Sequence, residues 1–420
     1  MDNKTLPTVC VMGLGYIGLP TASTLATKGF PVHGVDVNEA IVDNLNDGKV
    51  LIYEPSLDIV VKSAVNSGNL RASTQPQPAD VFILAVPTPF KEGNRADLKF
   101  VEDAAGSIAS LLEPGNLVIL ESTSPVGATE HVADIIDRAR PDLAVSKRSN
   151  GVATRTQTPV HVAHCPERVL PGDILREIVD NDRIVGGIDA QSTDAAVEFY
   201  SRFVSGELLS TDSRTAELAK LVENAYRDVN IAFANELSLI CDRAGINVWD
   251  LIRLANHHPR VNIHRPGPGV GGHCIAIDPW FIVADYPDLA RLVKTAREVN
   301  DGKPHYVVNR IVEKTQRLKE PVVACLGLSY KPDIDDLRES PALEVVQHLT
   351  SKVEGEVLVV EPNISSLPED LDGEVTLVEL DEALHKADII VALVAHREFR
   401  ALNHSALKDR ILLDFVNAVV

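Results

Sequence analysis

The chain has no excess of positive charge. Lys and Arg number 40 against 60 Asp and Glu, a formal charge of −20 over 420 residues. That argues against sequence-independent binding to nucleic acid or to anionic membrane, which needs a basic face. It leaves room for an anionic small substrate held by a local cluster of Arg and Lys. No window is apolar for long enough to cross a bilayer; the longest apolar runs, such as Ile389–Ala395, have the length of buried strands. The first seven residues hold one lysine and no apolar stretch, so no signal peptide and a cytoplasmic location are expected. Cysteine is scarce. The five, at 10, 165, 241, 274 and 325, are odd in number and lack CxxC spacing. They argue against a disulfide framework, for a reducing compartment, and offer no zinc site; no metal is expected.

What is present is core material. A hydrophobic fraction of 45% and a length beyond one ordinary domain imply two or three folded domains. The runs Val9–Met12, Val32–Val35, Val81–Val86 and Leu117–Leu120 read as buried parallel strands with helical patterns between them. A polar stretch, Ser146–Val160, reads as a loop before a strand ending near His164. Residues 1–210 therefore read as a doubly wound α/β, Rossmann-like domain. From Arg214 to Ala244 apolar residues recur at helical spacing without Gly or Pro, and Gly245 is placed to end the helix. The Gly-, Pro- and His-rich stretch Asn256–Pro279 must be irregular, and a second helix spans about Leu289–Gln316. Residues 211–318 form this helical middle, with the long helix a candidate dimer face. Residues 319–420 return to α/β: Val322–Leu326 then Gly327 repeats the strand-then-glycine opening of Val9–Gly13, and Ala387-Asp388 repeats the strand lead-in Ala79-Asp80. The fold class is α/β, two Rossmann-like domains joined by a long central helix, with the active site expected between them.

Gly13-Leu14-Gly15-Tyr16-Ile17-Gly18 follows the first strand and opens a helix, with Asp36 at the end of the second strand. In that context the glycines bring backbone to a pyrophosphate at the helix N-terminus, and Asp36 suits the ribose hydroxyls of NAD while repelling the extra phosphate of NADP. Thr88, Thr123 and Thr129 place hydroxyls near the carboxyl edge of the sheet, as cofactor contacts or as turn and capping residues.

The stretch Gly267–Cys274 carries four glycines and ends on a cysteine, followed by Asp278. Such a loop brings N–H groups to anions. Four of the cysteines suit a core; Cys274 does not. A thiolate there adds to an aldehyde, and the adduct can be oxidised again to a thioester and hydrolysed, which turns an alcohol dehydrogenase into one that carries out two oxidations and consumes two NAD. Lys220 and Asn224 lie one helical turn apart. Lys220 is either a solvated edge or a buried ammonium that stabilises oxyanions or moves protons. Asn224 could hold a water or an oxyanion, and Glu167, in Cys165-Pro166-Glu167-Arg168, could be the base for thioester hydrolysis.

These residues resemble the UDP-glucose/GDP-mannose dehydrogenase family over essentially the whole chain. The segments Cys165–Gly172, Tyr226–Glu236 and His258–Ile263 resemble the branch acting on UDP-N-acetylhexosamines, and His273 and Ile277 stand where glucose-type enzymes carry Ser and Lys. The resemblance implies Cys274 as nucleophile and Lys220 as general acid/base, with Asn224 and Asp278 alongside. It implies sugar-nucleotide contacts from Arg168, Val169, Arg227, His258, Arg260, Gly271, Tyr330 and Lys331, a cofactor contact from Arg338, UDP-sugar binding by residues 319–420, and a homodimer. The expected substrate is UDP-N-acetylmannosamine, oxidised to the uronate for surface polysaccharide; UDP-N-acetylglucosamine or the galactosamine epimer is the rival. A two-electron hydroxyacid-type dehydrogenase and a non-catalytic NAD-binding protein are the remoter alternatives. The branch ends its last strand with Asp, a small residue, a basic residue and Gly; this chain has Asp414-Phe415-Val416-Asn417, without the basic contact.

Overall fold

The structure is a computed structural model that describes residues 6–52, 54–148, 158–170, 172–272, 274–402, 407 and 409–419. His273 and residues 149–157 of the expected loop lie outside the described residues. The chain divides into two compact units, Met1–Val222 and Glu223–Val420, and the division falls within the helix Ser213–Ala244.

In chain order the strands of the first unit are β1 (Val9–Met12), β2 (Val32–Val35), β3 (Leu70–Ser73), β4 (Val81–Leu84), β5 (Phe90–Lys91), β6 (Arg95–Ala96), β7 (Leu117–Leu120), β8 (His161–His164), β9 (Arg183–Gly187) and β10 (Leu208–Asp212). Eight of them form one sheet in the order β10-β9-β8-β7-β4-β1-β2-β3, and β5 and β6 make a small hairpin. Val9 pairs with Val32 and with Val81, both in parallel register. The direction reverses between β8 and β9. Along β1 the side chains alternate between two cores: Val9 and Val11 face one, Cys10 and Met12 the other. That is the two-sided burial that a doubly wound sheet requires.

The second unit holds β11 (Val322–Leu326), β12 (Glu356–Val360), β13 (Thr376–Leu377), β14 (Ile389–Ala392) and β15 (Ile411–Asp414), all parallel, in the order β13-β12-β11-β14-β15. Val323 and Cys325 face one core, Ala324 and Leu326 the other. The helix Arg291–Thr315 packs on the helix Pro341–Thr350.

The internal repeat extends to hydrogen bonds. Asp80 accepts from the Thr8 N–H at the head of β1 (2.7 Å), and Asp388 accepts from the Val322 N–H at the head of β11 (3.0 Å). Past each first strand comes a glycine at positive φ, Gly13 at 91° and Gly327 at 99°. The next residue, Leu14 or Leu328, donates its N–H to a carboxylate at the end of the second strand, Asp36 (2.9 Å) or Glu361 (2.8 Å).

Candidate active site

In the first unit the glycine turn sorts its three glycines by space. A Cβ on Gly18 would stand 1.8 Å from the Gly13 carbonyl oxygen, and one on Gly13 would stand 2.6 Å from the Ala85 oxygen. Both glycines serve backbone packing. Gly15 meets nothing within 4 Å and is exposed, so it is the one that leaves the turn open to a ligand. The helix Gly18–Thr27 that follows has no side-chain cap and no acid in its first turn. Its N-terminal N–H groups and dipole favour an anion there. Tyr16 is exposed and Ile17 half-buried beside the turn. Asp36 spends one oxygen on Leu14 N–H and the other on Asn38 N–H, yet is half-exposed and keeps a second lone pair on each. The turn, the uncapped helix and the half-exposed acid fit a dinucleotide.

At the carboxyl edge of the sheet, Thr88 is half-buried and donates its hydroxyl to the Thr123 carbonyl (2.7 Å), joining the ends of β4 and β7. Thr123 is half-buried. The expectation for Thr129 is corrected. It is fully buried, and its hydroxyl donates to Glu217 (2.6 Å), which also accepts the Thr129 N–H (2.7 Å) and the Gly127 N–H (2.6 Å). Glu217 thus caps the N-terminus of the helix Ala128–Ala139, and Thr129 has no hydroxyl to offer a ligand.

Glu167 lies in a buried charged network. One of its oxygens accepts the Arg168 N–H (2.6 Å) and the other accepts Arg183 Nη2 (3.1 Å). The Arg183 guanidinium is itself buried, 4.0 Å from Glu121 and 5.1 Å from the centre of the Tyr200 ring. Tyr200 donates to Glu121 (2.8 Å), whose carboxyl is pushed up to about 7, first by burial and also by Glu167, against the pull of Arg183. Arg168 is half-buried and donates to the Asp182 carbonyl (3.1 Å); Val169 packs on the adjacent core. Glu54, buried, accepts the Gly172 and Ile174 N–H groups (2.8 and 2.9 Å) and fixes this segment's far end. Lys220 is half-buried on the long helix.

In the second unit Cys274 stands apart from the other thiols. It is half-buried, and the other four are buried. Burial pushes Cys10 and Cys165 up to about 11 and Cys325 to about 12, which suits inert core residues. Cys274 lies one turn ahead of the helix Asp278–Asp285, and its carbonyl accepts the Asp278 N–H (2.8 Å). The Asp278 carboxylate is buried and accepts Asn224 Nδ2 at 2.6 Å. These three expected residues are therefore brought together.

The glycine loop before Cys274 is tied at both ends: Gly267 N–H donates to Asn235 Oδ1 (2.9 Å), and Gly272 N–H donates to the Arg338 carbonyl (3.2 Å). A Cβ on Gly271 would stand 2.4 Å from the Glu339 oxygen and 2.8 Å from Tyr330 Cβ, so Gly271 and Tyr330 are packed together. Lys331 Nζ lies 5.7 Å from the centre of the Tyr330 ring. The Arg338 guanidinium is exposed and paired with Asp336 (2.6 Å). Arg227, His258 and Arg260 are exposed; the Arg260 N–H donates to His258 Nδ1 (3.3 Å).

A hollow of about 540 Å³ in this unit is lined by residues that sequence reasoning missed, among them Trp249, Arg253, Arg265 and Asn417. Asn417 of this lining belongs to the turn where the expected basic contact is missing. Asp414 organises that turn by accepting the Val416, Ala418 and Val419 N–H groups.

Comparison with known proteins assigns these parts. Three profiles of the UDP-glucose/GDP-mannose dehydrogenase family match: the NAD binding domain over residues 7–204, the central domain over 214–302 and the UDP binding domain over 324–420. The chain is similar to an NDP-N-acetyl-D-galactosaminuronic acid dehydrogenase of Ralstonia nicotianae, 56% identical over 97% of this chain and 95% of that one. It is similar to the UDP-N-acetyl-D-mannosamine dehydrogenase of Salmonella typhi, 54% identical over 97% and 98%. Among solved structures it is similar to the UDP-N-acetyl-mannosamine dehydrogenase of S. aureus, with a TM-score of 0.85 and 41% identity, covering 98% and 95%. The cofactor is NAD. The chain belongs to the UDP-glucose/GDP-mannose dehydrogenase family and is an NAD-dependent UDP-sugar dehydrogenase.

Proposed function

We propose that the chain oxidises the primary alcohol of UDP-N-acetyl-D-mannosamine to the carboxylate. The reaction consumes two NAD and one water and releases three protons. The observation that carries the reading is Cys274, the half-buried thiol whose own turn leads into the Asp278–Asn224 hydrogen bond. NAD, when bound, supplies the acceptor for both oxidations. The Cys274 thiolate bonds to the carbonyl carbon of the aldehyde formed first, and the adduct is the species oxidised to a thioester. Glu167 takes a proton from the water that attacks the thioester, and the sulfur leaves as thiolate. Lys220 stabilises the oxyanion at each oxidation or moves its proton. Asn224, oriented by Asp278, holds that water or the oxyanion.

On the cofactor side the roles fall to Gly13, Gly15, Tyr16, Ile17, Gly18 and Asp36, with Thr88, Thr123 and Arg338. Arg168, Val169, Arg227, His258, Arg260, Gly271, Tyr330 and Lys331 take the sugar nucleotide, where guanidinium and ammonium groups suit a pyrophosphate. The three parts 1–210, 211–318 and 319–420 divide cofactor, dimer and UDP-sugar work. A homodimer on the long helix is supported by Tyr226, Phe233 and Ile240, spaced by sevens and exposed. No helix among the described residues is long and apolar enough to cross a membrane. The reading places the enzyme in the cytoplasm, making a uronate for surface polysaccharide.

The mannosamine epimer is supported by relatives of that name at 53–55% identity. The galactosamine epimer is the second reading, supported by the Ralstonia relatives at 55–56%. Initial rates on UDP-N-acetylmannosamine, UDP-N-acetylglucosamine and UDP-N-acetylgalactosamine, followed by NADH absorbance, separate them. The mannosamine epimer is expected to be fastest, with two NADH formed per sugar; a yield of one overturns the four-electron reaction. Cys274→Ala is expected to make no uronate while retaining NAD binding, measured by fluorescence titration. Wild-type uronate formation by that variant would exclude the thiol.

A further inference from the structure

Outside the residues given roles above, one cluster of ligating side chains stands on the second unit among the described residues. Glu344 and His348 lie four residues apart on the helix Pro341–Thr350 and so share a face. The helix Arg291–Thr315 packs against it and contributes His305. The two imidazole rings have centroids 4.8 Å apart, and His348 Nε2 lies 3.7 Å from Glu344 Oε1. One nitrogen or oxygen from each of the three residues falls within 4.8 Å of the others. Ligands bound tetrahedrally at about 2.0–2.1 Å from one ion stand about 3.3 Å apart. Rotation of these half-buried and exposed side chains closes the difference.

We infer that His305, Glu344 and His348 form a binding site for one divalent transition-metal ion of the zinc type, with water completing the coordination. Two imidazole nitrogens and one carboxylate oxygen make a donor set suited to Zn²⁺ and its first-row neighbours. Mg²⁺ and Ca²⁺ prefer six or more oxygens. Asp301, one turn before His305, adds negative charge beside Glu344.

The site bears on the loop that leads to Cys274. A Cβ on Gly269 would stand 2.7 Å from Pro341 Cβ, 3.3 Å from the Asn300 carbonyl and 3.4 Å from Pro304 Cδ. Gly269 is therefore pinched between the same two helices, beside the residue preceding His305 and one turn before Glu344. An ion joining His305 to Glu344 and His348 holds that pinch closed, so the metal acts as a clamp on the seat of the glycine loop.

The test titrates ZnCl₂ into metal-stripped full-length protein by calorimetry. A Cys274→Ser background keeps the active-site thiol from competing. The expected result is one ion per chain and no heat with MgCl₂. His305→Ala and His348→Ala should each weaken zinc at least about tenfold. Hydrogen exchange across residues 267–272 is expected to slow with zinc and to be indifferent to zinc in either variant. Both positions are surface-accessible, and circular dichroism checks that the variants fold. Absence of stoichiometric binding, or binding that both alanine variants retain, overturns the site; unchanged exchange at 267–272 with zinc bound overturns the clamp.

Discussion

Glu121 is a residue whose environment decides its charge. Fully buried and only 4.0 Å from Arg183, it shares that guanidinium with Glu167, which takes the hydrogen bond. Its carboxyl is raised from the ordinary range to about 7. A carboxyl raised on folding keeps its proton longer in the native state than in the unfolded one. Between about pH 4.5 and 7 the native state therefore binds more protons, and stability falls as pH rises through that window. Glu121→Gln, which cannot ionise, should match the parent near pH 4 and exceed it at pH 8. Urea midpoints at the two pH values check this; an equal difference at both would exclude the titration. Arg183 behaves differently, because removing it strands buried Glu167. Breaking a buried pair in this way typically costs about 3–5 kcal/mol.

At the scale of elements, the sequence was legible wherever burial on both faces makes a run of apolar residues. β1, β2, β7 and β11 lie at the expected residues, β8 ends at the expected His164, β4 ends two residues early and β14 three. The long helix was expected from Arg214 and begins at Ser213. The edge strands of the first sheet were not legible. β10, Leu208–Asp212, is largely exposed, and β3 alternates Arg and Ser with apolar residues, so neither stands out from a loop. The reversal at β9 depends on pairing between distant segments, which periodicity does not carry.

The same limit applied to the site. The glycine turn, Cys274 and Asp278 announce themselves by local pattern. Glu217 acts on Thr129 across 88 residues, and on its own helix reads as one more charged residue. His305 and His348 lie on separate helices, beyond any spacing rule. The long helix also carries a prediction. Phe233→Glu puts a charge into the apolar row Tyr226, Phe233 and Ile240, and is expected to turn the proposed dimer into a monomer in light scattering. A variant that remains dimeric would exclude this face.

For the whole molecule the two sheets pose a counting problem. Each has a first strand, a positive-φ glycine and an acid ending the second strand. The second turn, Gly327-Leu328-Ser329-Tyr330-Lys331-Pro332, lacks the glycines that stand at Gly15 and Gly18 in the first. Glu361 is also buried, and one of its oxygens already accepts the Leu328 and Ser329 N–H groups and stands 3.0 Å from His396 Nε2. The other accepts from Asn363. These bonds and His396 outweigh burial and hold the carboxyl down at about 2. NAD is therefore expected to bind once per chain in calorimetry, and a stoichiometry of two would contradict this.

The spent carboxylate of Glu361 also shows how one strand-and-turn pattern can serve two ends. The second unit keeps the strand, the positive-φ glycine and the acid, while a histidine and an asparagine turned toward that acid take up its oxygens. The acid of the second unit holds the protein's own turn together, where its counterpart Asp36 stays half-exposed.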